Sequence, residues 1–177
     1  MEYLEFTQFI EEHQTEIYSF CLHLTNDKYE ADDLYQDTVL TAWEKHAGLS
    51  AEQNMKSYLL SVAIRIWKNR KRKYAWRQRI APVQSCSVDA ERNFSSTADV
   101  PIEESGPEEK ILEKEQQELV RKAVGGLKDK YRLPVYLFYM EELSQKEIAK
   151  VLQIPKGTVK SRLFTAKQLL KEELKNR

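Results

Sequence analysis

The sequence predicts an all-α protein made of two small helical domains joined by a flexible acidic linker. Along most of the 177-residue chain, apolar side chains recur at the three- and four-residue spacing of amphipathic helices. This spacing disappears between residues 81 and 107, where prolines, serines, threonines and acidic residues replace the apolar side chains. We therefore expect domains at residues 1 to 80 and 108 to 177, with the linker at residues 81 to 107.

A stripe of apolar side chains from Phe6 to Leu24 predicts the first helix, which the turn-forming residues Thr25, Asn26 and Asp27 should end. His13 lies within this stripe. A single histidine in such a position is more often a hydrogen-bonded core residue than a metal ligand, so we expect it to serve the core.

The second helix is predicted from about Tyr29 to Glu44 and has two different faces. The face expected to point inward consists of Ala31, Leu34, Thr38 and Ala42. The opposite face carries Asp33, Gln36, Asp37, Leu40 and Glu44. Clustered carboxylates can perform acid–base or metal chemistry, but that chemistry needs a buried histidine or further ligands. The mixture of carboxylate, amide and leucine instead favours a docking surface for a cationic partner.

The third helix is predicted from about Met55 to Trp76, with Leu59, Val62, Ala63 and Ile66 inward. Residues 56 to 80 carry nine basic and no acidic side chains, interleaved with Tyr58, Trp67, Tyr74 and Trp76. Cations that release counterions from phosphates, next to rings that stack on unpaired bases, suit single-stranded or melting DNA. The alternative is a solvated cationic face with the aromatic rings in the core, which we favour for each ring taken singly because aromatic side chains bury large areas.

The last third of the chain predicts a helix-turn-helix. Ser144 and Glu147 form a capping-box pattern at the start of one short helix, and Ile148, Ala149 and Leu152 give it an inward stripe. After the break at residues 153–155, a second inward stripe consists of Val159, Leu163, Ala166 and Leu170. Proteins use this arrangement to insert a helix into the major groove of DNA. The alternative interpretation is an ordinary helical hairpin with lysines on its surface.

The formal net charge is zero, but the charges are segregated. Residues 1–55 and 81–118 are acidic, whereas residues 56–80 and 119–177 carry the cations that a polyanion would attract. Cys21 and Cys86 lack the spacing of a zinc site or a disulfide framework, so we expect no metal and no cofactor. Because no long apolar run is present, we expect a soluble cytoplasmic protein that is not itself a membrane protein.

The order of these parts resembles the bacterial RNA polymerase sigma factors of the sigma-70 family, specifically the extracytoplasmic-function (ECF) group. The stretch from Ala31 to Trp43 resembles region 2.2 of that family, and Tyr58 to Ala63 resembles the start of region 2.3. The stretches 130–137 and 157–163 resemble regions 4.1 and 4.2. This resemblance spans nearly the whole chain outside the linker.

The resemblance implies a non-catalytic subunit whose partners are core RNA polymerase, promoter DNA and an anti-sigma factor, often membrane-bound. The polymerase would be bound through the clamp helices of its largest subunit and the flap of its second-largest subunit. The residues implied at the clamp helices are Asp33, Gln36, Asp37 and Leu40. Those implied at the minus-10 element are Tyr58, Arg65, Lys68, Asn69, Arg70, Arg72 and Lys73. Those implied at the minus-35 element are Lys156, Thr158, Lys160, Ser161, Arg162, Phe164, Thr165 and Lys167.

Four positions depart from the common pattern of the family. Arg65 replaces an asparagine that contacts an extruded base, and Tyr58 replaces a tryptophan. Gln153 stands where the turn usually has glycine, so the turn must accept a side chain or another backbone geometry. Thr165 replaces a frequent arginine, which removes a phosphate or base contact.

Two other functions compete with this one. A stand-alone regulator with an N-terminal sensing domain would leave the basic helix and the acidic face unexplained. A metal-dependent hydrolase built on Asp32, Asp33 and Asp37 would require metal binding and turnover by the isolated protein.

Overall fold

The computed structural model describes residues 3–45, 54–80 and 107–175. These residues form seven α-helices and no strand, which confirms the all-α prediction. The helices are α1 Tyr3–Thr25, α2 Lys28–Trp43, α3 Met55–Ile80, α4 Pro107–Gly126, α5 Asp129–Tyr139, α6 Gln145–Leu152 and α7 Lys156–Lys175. Within the described part of the chain, no helix is long and apolar enough to cross a membrane.

The chain divides into two compact units, Met1–Ser95 and Ser96–Arg177. The first contains α1 to α3 and the second contains α4 to α7. The predicted linker at residues 81–107 lies outside the described residues except for Pro107, which begins α4. Proline suits the first position of a helix because its missing N–H would have no partner there.

In the first unit, each pair among α1, α2 and α3 is in contact around one core. Asn26 adopts a left-handed backbone with φ 55°, and the Asp27 carboxylate then caps α2 by accepting from the Glu30 N–H at 3.0 Å. The predicted inward face of α2 is buried throughout. At its centre the Thr38 hydroxyl donates to the Leu34 carbonyl at 2.6 Å, which satisfies the one polar group on that face.

His13 is half-buried, its ring stacks on Phe9 at 4.1 Å, and its Nδ1 lies 3.1 Å from the Phe9 carbonyl. The predicted hydrogen bond of His13 is present, but the residue lies at the half-buried edge of the stripe and not in the core.

The first half of α3 is buried on more than one side, and its second half is exposed. Leu60 and Ile64 are buried although the predicted stripe omitted them, whereas Ile66 is only half-buried. Trp67 is buried, but Tyr74 and Trp76 are 65% and 63% exposed, so the core interpretation is wrong for those two rings. The reason is that Trp67 is the last buried residue of α3, and the helix continues to Ile80 beyond the core.

In the second unit, α7 contacts α4, α5 and α6. The interior includes Leu133 and Leu137 of α5, Ile148 of α6, and Val159 and Ala166 of α7. The interruption predicted near Gly125 and Gly126 is the end of α4.

Candidate nucleic-acid and partner interfaces

The start of α6 is fixed by the predicted capping box. The Ser144 hydroxyl accepts from the Glu147 N–H at 3.3 Å, and the Ser144 N–H donates to the Glu147 carboxylate at 2.9 Å. Two backbone donors that the helix itself cannot satisfy thus gain partners.

The turn between α6 and α7 accepts the side chain of Gln153 in a left-handed backbone with φ 55° and ψ 47°. Hydrogen bonds from Gln153 N–H to the Lys150 carbonyl at 3.2 Å and from Ile154 N–H to the Ala149 carbonyl at 3.0 Å close the end of α6. Glycine is the usual residue in this conformation because it has no Cβ. The departure from the common sequence therefore leaves the turn geometry intact.

The outer face of α7 presents cations, hydroxyls and one aromatic ring. Lys156, Lys160, Ser161, Phe164 and Lys167 are exposed, Phe164 to 66%. The remaining predicted minus-35 residues, Thr158, Arg162 and Thr165, are half-buried. Lysines suit phosphates, and an exposed ring can contact a thymine methyl, so this face can read a major groove.

The hydroxyls on this face are occupied within the helix. Ser161 donates to the Thr158 carbonyl at 3.0 Å, and Thr165 donates to the Ser161 carbonyl at 3.0 Å. Their oxygen atoms can still accept a hydrogen bond, so contact with a base amino group requires no rearrangement.

The predicted docking face of α2 is exposed as a continuous surface. Asp33, Gln36, Asp37 and Leu40 are all exposed, Leu40 to 62%. Their spacing of three or four residues places them on one side of the helix. An apolar leucine among carboxylates is typical of a protein contact and not of a metal site.

Asp32 is hydrogen-bonded to α1 and does not belong to the docking face. Its carboxylate accepts from the Tyr18 hydroxyl of α1 at 2.7 Å, and this hydrogen bond is the main reason that the pKa of Tyr18 is raised to about 12. The three aspartates of the hydrolase hypothesis therefore do not converge. Within the described ranges, no three His, Cys, Asp or Glu side chains are grouped so as to hold a metal ion.

The cationic face of α3 is mostly exposed. Of the predicted minus-10 residues, Arg65, Lys68, Asn69, Arg72 and Lys73 are exposed, whereas Tyr58 and Arg70 are half-buried. Lys71 lies over the Trp67 ring, 4.7 Å from its centroid. Trp67 thus contributes to the core with one part and supports a surface cation with another.

Lys56 and Arg70 of this cationic helix pair with acids of the same unit, which the sequence interpretation missed. Lys56 lies 2.7 Å from Glu16, and its hydrogen bond is the main reason that the pKa of Glu16 is lowered. Arg70 lies 2.5 Å from Asp37 and so joins the cationic helix to the docking face. The signal available in the sequence was the charge segregation itself, because an acidic segment followed by a basic one can pair internally.

Two family models match the chain, sigma-70 region 2 over residues 9–77 and sigma-70 region 4 over residues 117–170. Together they cover more than half of the chain, and each falls within one compact unit. The chain belongs to the sigma-70 family.

Relatives of this sigma factor are named as ECF RNA polymerase sigma factors. SigW of Bacillus subtilis is 23% identical over 171 residues, 97% of this chain and 89% of that protein. SigM of Bacillus subtilis is 28% identical over 159 residues, 90% of this chain and 88% of that protein. The sigma-E factor of Escherichia coli K12 is 28% identical over 143 residues, 80% of this chain and 72% of that protein. The chain is thus similar over most of its length to proteins named for the ECF group.

Solved structures that share the fold include two complexes. The sigma factor RpoE from Bartonella quintana, in complex with the anti-sigma factor NepR, matches with a TM-score of 0.74 at 23% identity and covers 97% of each chain. CnrH, in complex with the cytosolic domain of CnrY, matches with a TM-score of 0.66 at 17% identity, over 99% of this chain and 90% of that chain.

Proposed function

We propose that this sigma factor binds core RNA polymerase and directs transcription initiation at promoters by recognising their minus-10 and minus-35 elements. One observation carries the proposal: an exposed acidic face, a cationic helix and a helix-turn-helix occur in one chain, divided between two units. A regulator that binds a single DNA site would use only the last of these. The protein acts as a specificity subunit without catalytic activity of its own.

Core polymerase is contacted by the docking face of α2, formed by Asp33, Gln36, Asp37 and Leu40. Their carboxylates suit a cationic partner surface such as the clamp helices of the largest subunit. The second unit binds the flap of the second-largest subunit.

The minus-10 element is contacted by α3. Phosphate and base contacts are provided by the exposed residues Arg65, Lys68, Asn69, Arg72 and Lys73. Half-buried Tyr58, near the start of α3, packs against the core. Arg70 is hydrogen-bonded to Asp37 and Asp33 of α2, which favours a role other than DNA contact. Tyr74 and Trp76, whose exposure the sequence interpretation did not anticipate, add surfaces on which unpaired bases can stack.

The minus-35 element is contacted by the outer face of α7. Lys156, Lys160 and Lys167 suit phosphates, whereas Ser161 and Phe164 suit base edges. Thr158, Arg162 and Thr165 lie at the borders of that face. The sequence preference of the protein is therefore set by a small number of side chains.

An anti-sigma factor controls the protein in the bacterial cytoplasm. The fold is shared with the sigma factor RpoE, whose structure was solved in complex with the anti-sigma factor NepR, and this supports the proposal. A membrane-bound inhibitor of this kind would hold the protein at the membrane until it is released.

The deciding experiment adds the pure protein to sigma-free core polymerase and sequences the transcripts made from a genomic library. We expect start sites that share a two-part promoter. Transcripts without a shared promoter would refute the proposal. DNA binding in the absence of polymerase with no effect on initiation would favour the stand-alone regulator.

Reversing the charge of the docking face tests the same proposal at one surface. Asp33→Lys combined with Asp37→Lys should weaken core binding by at least tenfold, because each new cation repels the cationic partner surface. Glu11→Lys combined with Glu12→Lys makes the same change of charge at two exposed acids of α1 outside the face and is the matched control. Affinity is measured by titrating labelled protein with core polymerase, and equal affinities for the two variants would contradict the assigned face.

A further inference from the structure

Arg70 differs from the three cations that follow it. Lys71, Arg72 and Lys73 are exposed, whereas Arg70 is half-buried and extends from α3 to α2. Its Nη2 donates to the Asp37 carboxylate at 2.5 Å and to the Asp33 backbone carbonyl at 3.2 Å. Both acceptors lie on the docking face of α2.

We infer that Arg70 is a positioning residue of the polymerase-docking face and not one of the cations that contact promoter DNA. The inference rests on the proposed function, because it assigns a residue to the surface that binds polymerase. It changes the role that family resemblance implies for this position.

The geometry supports a positioning role. A guanidinium is planar and presents its donors in a fixed arrangement, so two acceptors one helical turn apart define its orientation. Arg70 holds the Oδ2 atom of Asp37, and a carboxylate has two oxygens with about four acceptor sites. The side chain of Asp37 is still 52% exposed, so a partner cation can reach the carboxylate while Arg70 orients it.

Contact with DNA would be costly for Arg70 in comparison with its neighbours. Reaching a phosphate would break a charge-assisted hydrogen bond and a second bond to the same helix. Lys73 is exposed and one turn further along the helix, where it can contact a phosphate directly. The pair itself is partly exposed on both sides, so its contribution to stability is small and its main effect is on geometry.

Charge alone predicts the opposite result, which makes the inference testable. Arg70 reduces the negative charge of the docking face, so its removal should strengthen the long-range attraction of a cationic partner. If Arg70 positions Asp37, removal should instead speed dissociation, because Asp37 must then be ordered during binding.

The experiment measures association and dissociation of the full-length protein on immobilised sigma-free core polymerase. For Arg70→Ala we expect a dissociation rate about fivefold higher, whereas association should be unchanged or faster because the docking face becomes more negative. Arg70→Lys should recover part of the loss, because it keeps the charge without the planar fork. Arg77→Ala removes an exposed guanidinium from the same helix and should leave both rates unchanged.

Two further measurements separate positioning from a general loss of structure. In an Asp37→Ala background, which leaves no acceptor at that side chain, Arg70→Ala should add no further change in dissociation, because the residue acts through Asp37. In holoenzyme binding to promoter DNA, Arg70→Ala should keep the wild-type slope of log affinity against log salt. Lys73→Ala should reduce the size of that slope by about one.

The outcomes are distinguishable. An unchanged dissociation rate for Arg70→Ala would overturn the inference, and a reduced salt slope in addition would identify Arg70 as a DNA contact. Equal effects of Arg70→Ala and Arg77→Ala would also overturn it, since the cause would then be general charge. Failure of the wild-type protein to bind core polymerase would instead overturn the proposed function.

Discussion

At the scale of single residues, three non-glycine residues in the described ranges have a left-handed backbone conformation. Asn26, Glu142 and Gln153 have φ values of 55°, 54° and 55°, and Gln153 caps the C-terminal end of α6. This backbone costs an L-residue roughly 1–2 kcal/mol relative to glycine, partly offset because glycine loses more freedom on folding. The turn of the helix-turn-helix is therefore slightly strained by its own sequence.

Gln153→Gly should relieve this strain and stabilise the second unit by about 0.5–1 kcal/mol. The free energy of unfolding is measured by denaturant titration of the full-length protein, following a signal from the second unit. Gln153→Ala is the control, because it shortens the side chain and keeps the Cβ. A glycine variant that unfolds together with the alanine variant would mean that the left-handed backbone carries no strain.

At the scale of elements, the sequence predicted what depends on periodicity and missed what depends on partners. The inward residues of α2 and the outward residues of α7 follow from a 3.6-residue period, because each of these helices has one buried side. In α3 the same reasoning failed for Trp76 and Ile64, since burial there depends on where α1 and α2 end and on how many sides they cover. The Arg70–Asp37 pair was missed because it joins residues 33 positions apart, which no local pattern reveals.

The two tryptophans of α3 should therefore respond differently to substitution. Trp67→Ala removes a buried ring and should destabilise the first unit by about 3–5 kcal/mol. Trp76→Ala removes a ring that is 63% exposed and should change stability by less than about 0.5 kcal/mol. Denaturant unfolding followed by circular dichroism measures both.

Promoter opening distinguishes the functional role of the exposed ring. If unpaired bases stack on Trp76, its alanine variant should open promoters more slowly at unchanged stability, as followed by a fluorescent base in the minus-10 element. Trp76→Phe is the matched variant, since it keeps an aromatic surface and should retain most of the opening rate. Equal opening rates for the wild type and Trp76→Ala would show that promoter opening does not depend on base stacking on this ring.

At the scale of the whole molecule, function is divided between two units that each have their own core. The cationic face of α7 is small, so we expect the second unit alone to bind the minus-35 element weakly. Covalent connection to a unit that is already on polymerase raises its effective concentration at the promoter. The specificity for a two-part promoter then depends on covalent connection as much as on side-chain contacts.

Cutting the chain between the units tests this dependence. A protease site inserted between Ser95 and Ser96, at the boundary of the two units, allows the same preparation to be assayed before and after cleavage. Before cleavage, scrambling the minus-35 element should strongly reduce transcript yield. After cleavage at nanomolar protein, we expect the intact and scrambled promoters to give nearly equal yields. The first unit still binds polymerase, whereas the contact of the second unit with the flap is too weak on its own to hold it at this dilution. Raising the concentration of the second unit should restore the difference, whereas full minus-35 dependence after cleavage at nanomolar protein would show that polymerase itself holds the second unit in place.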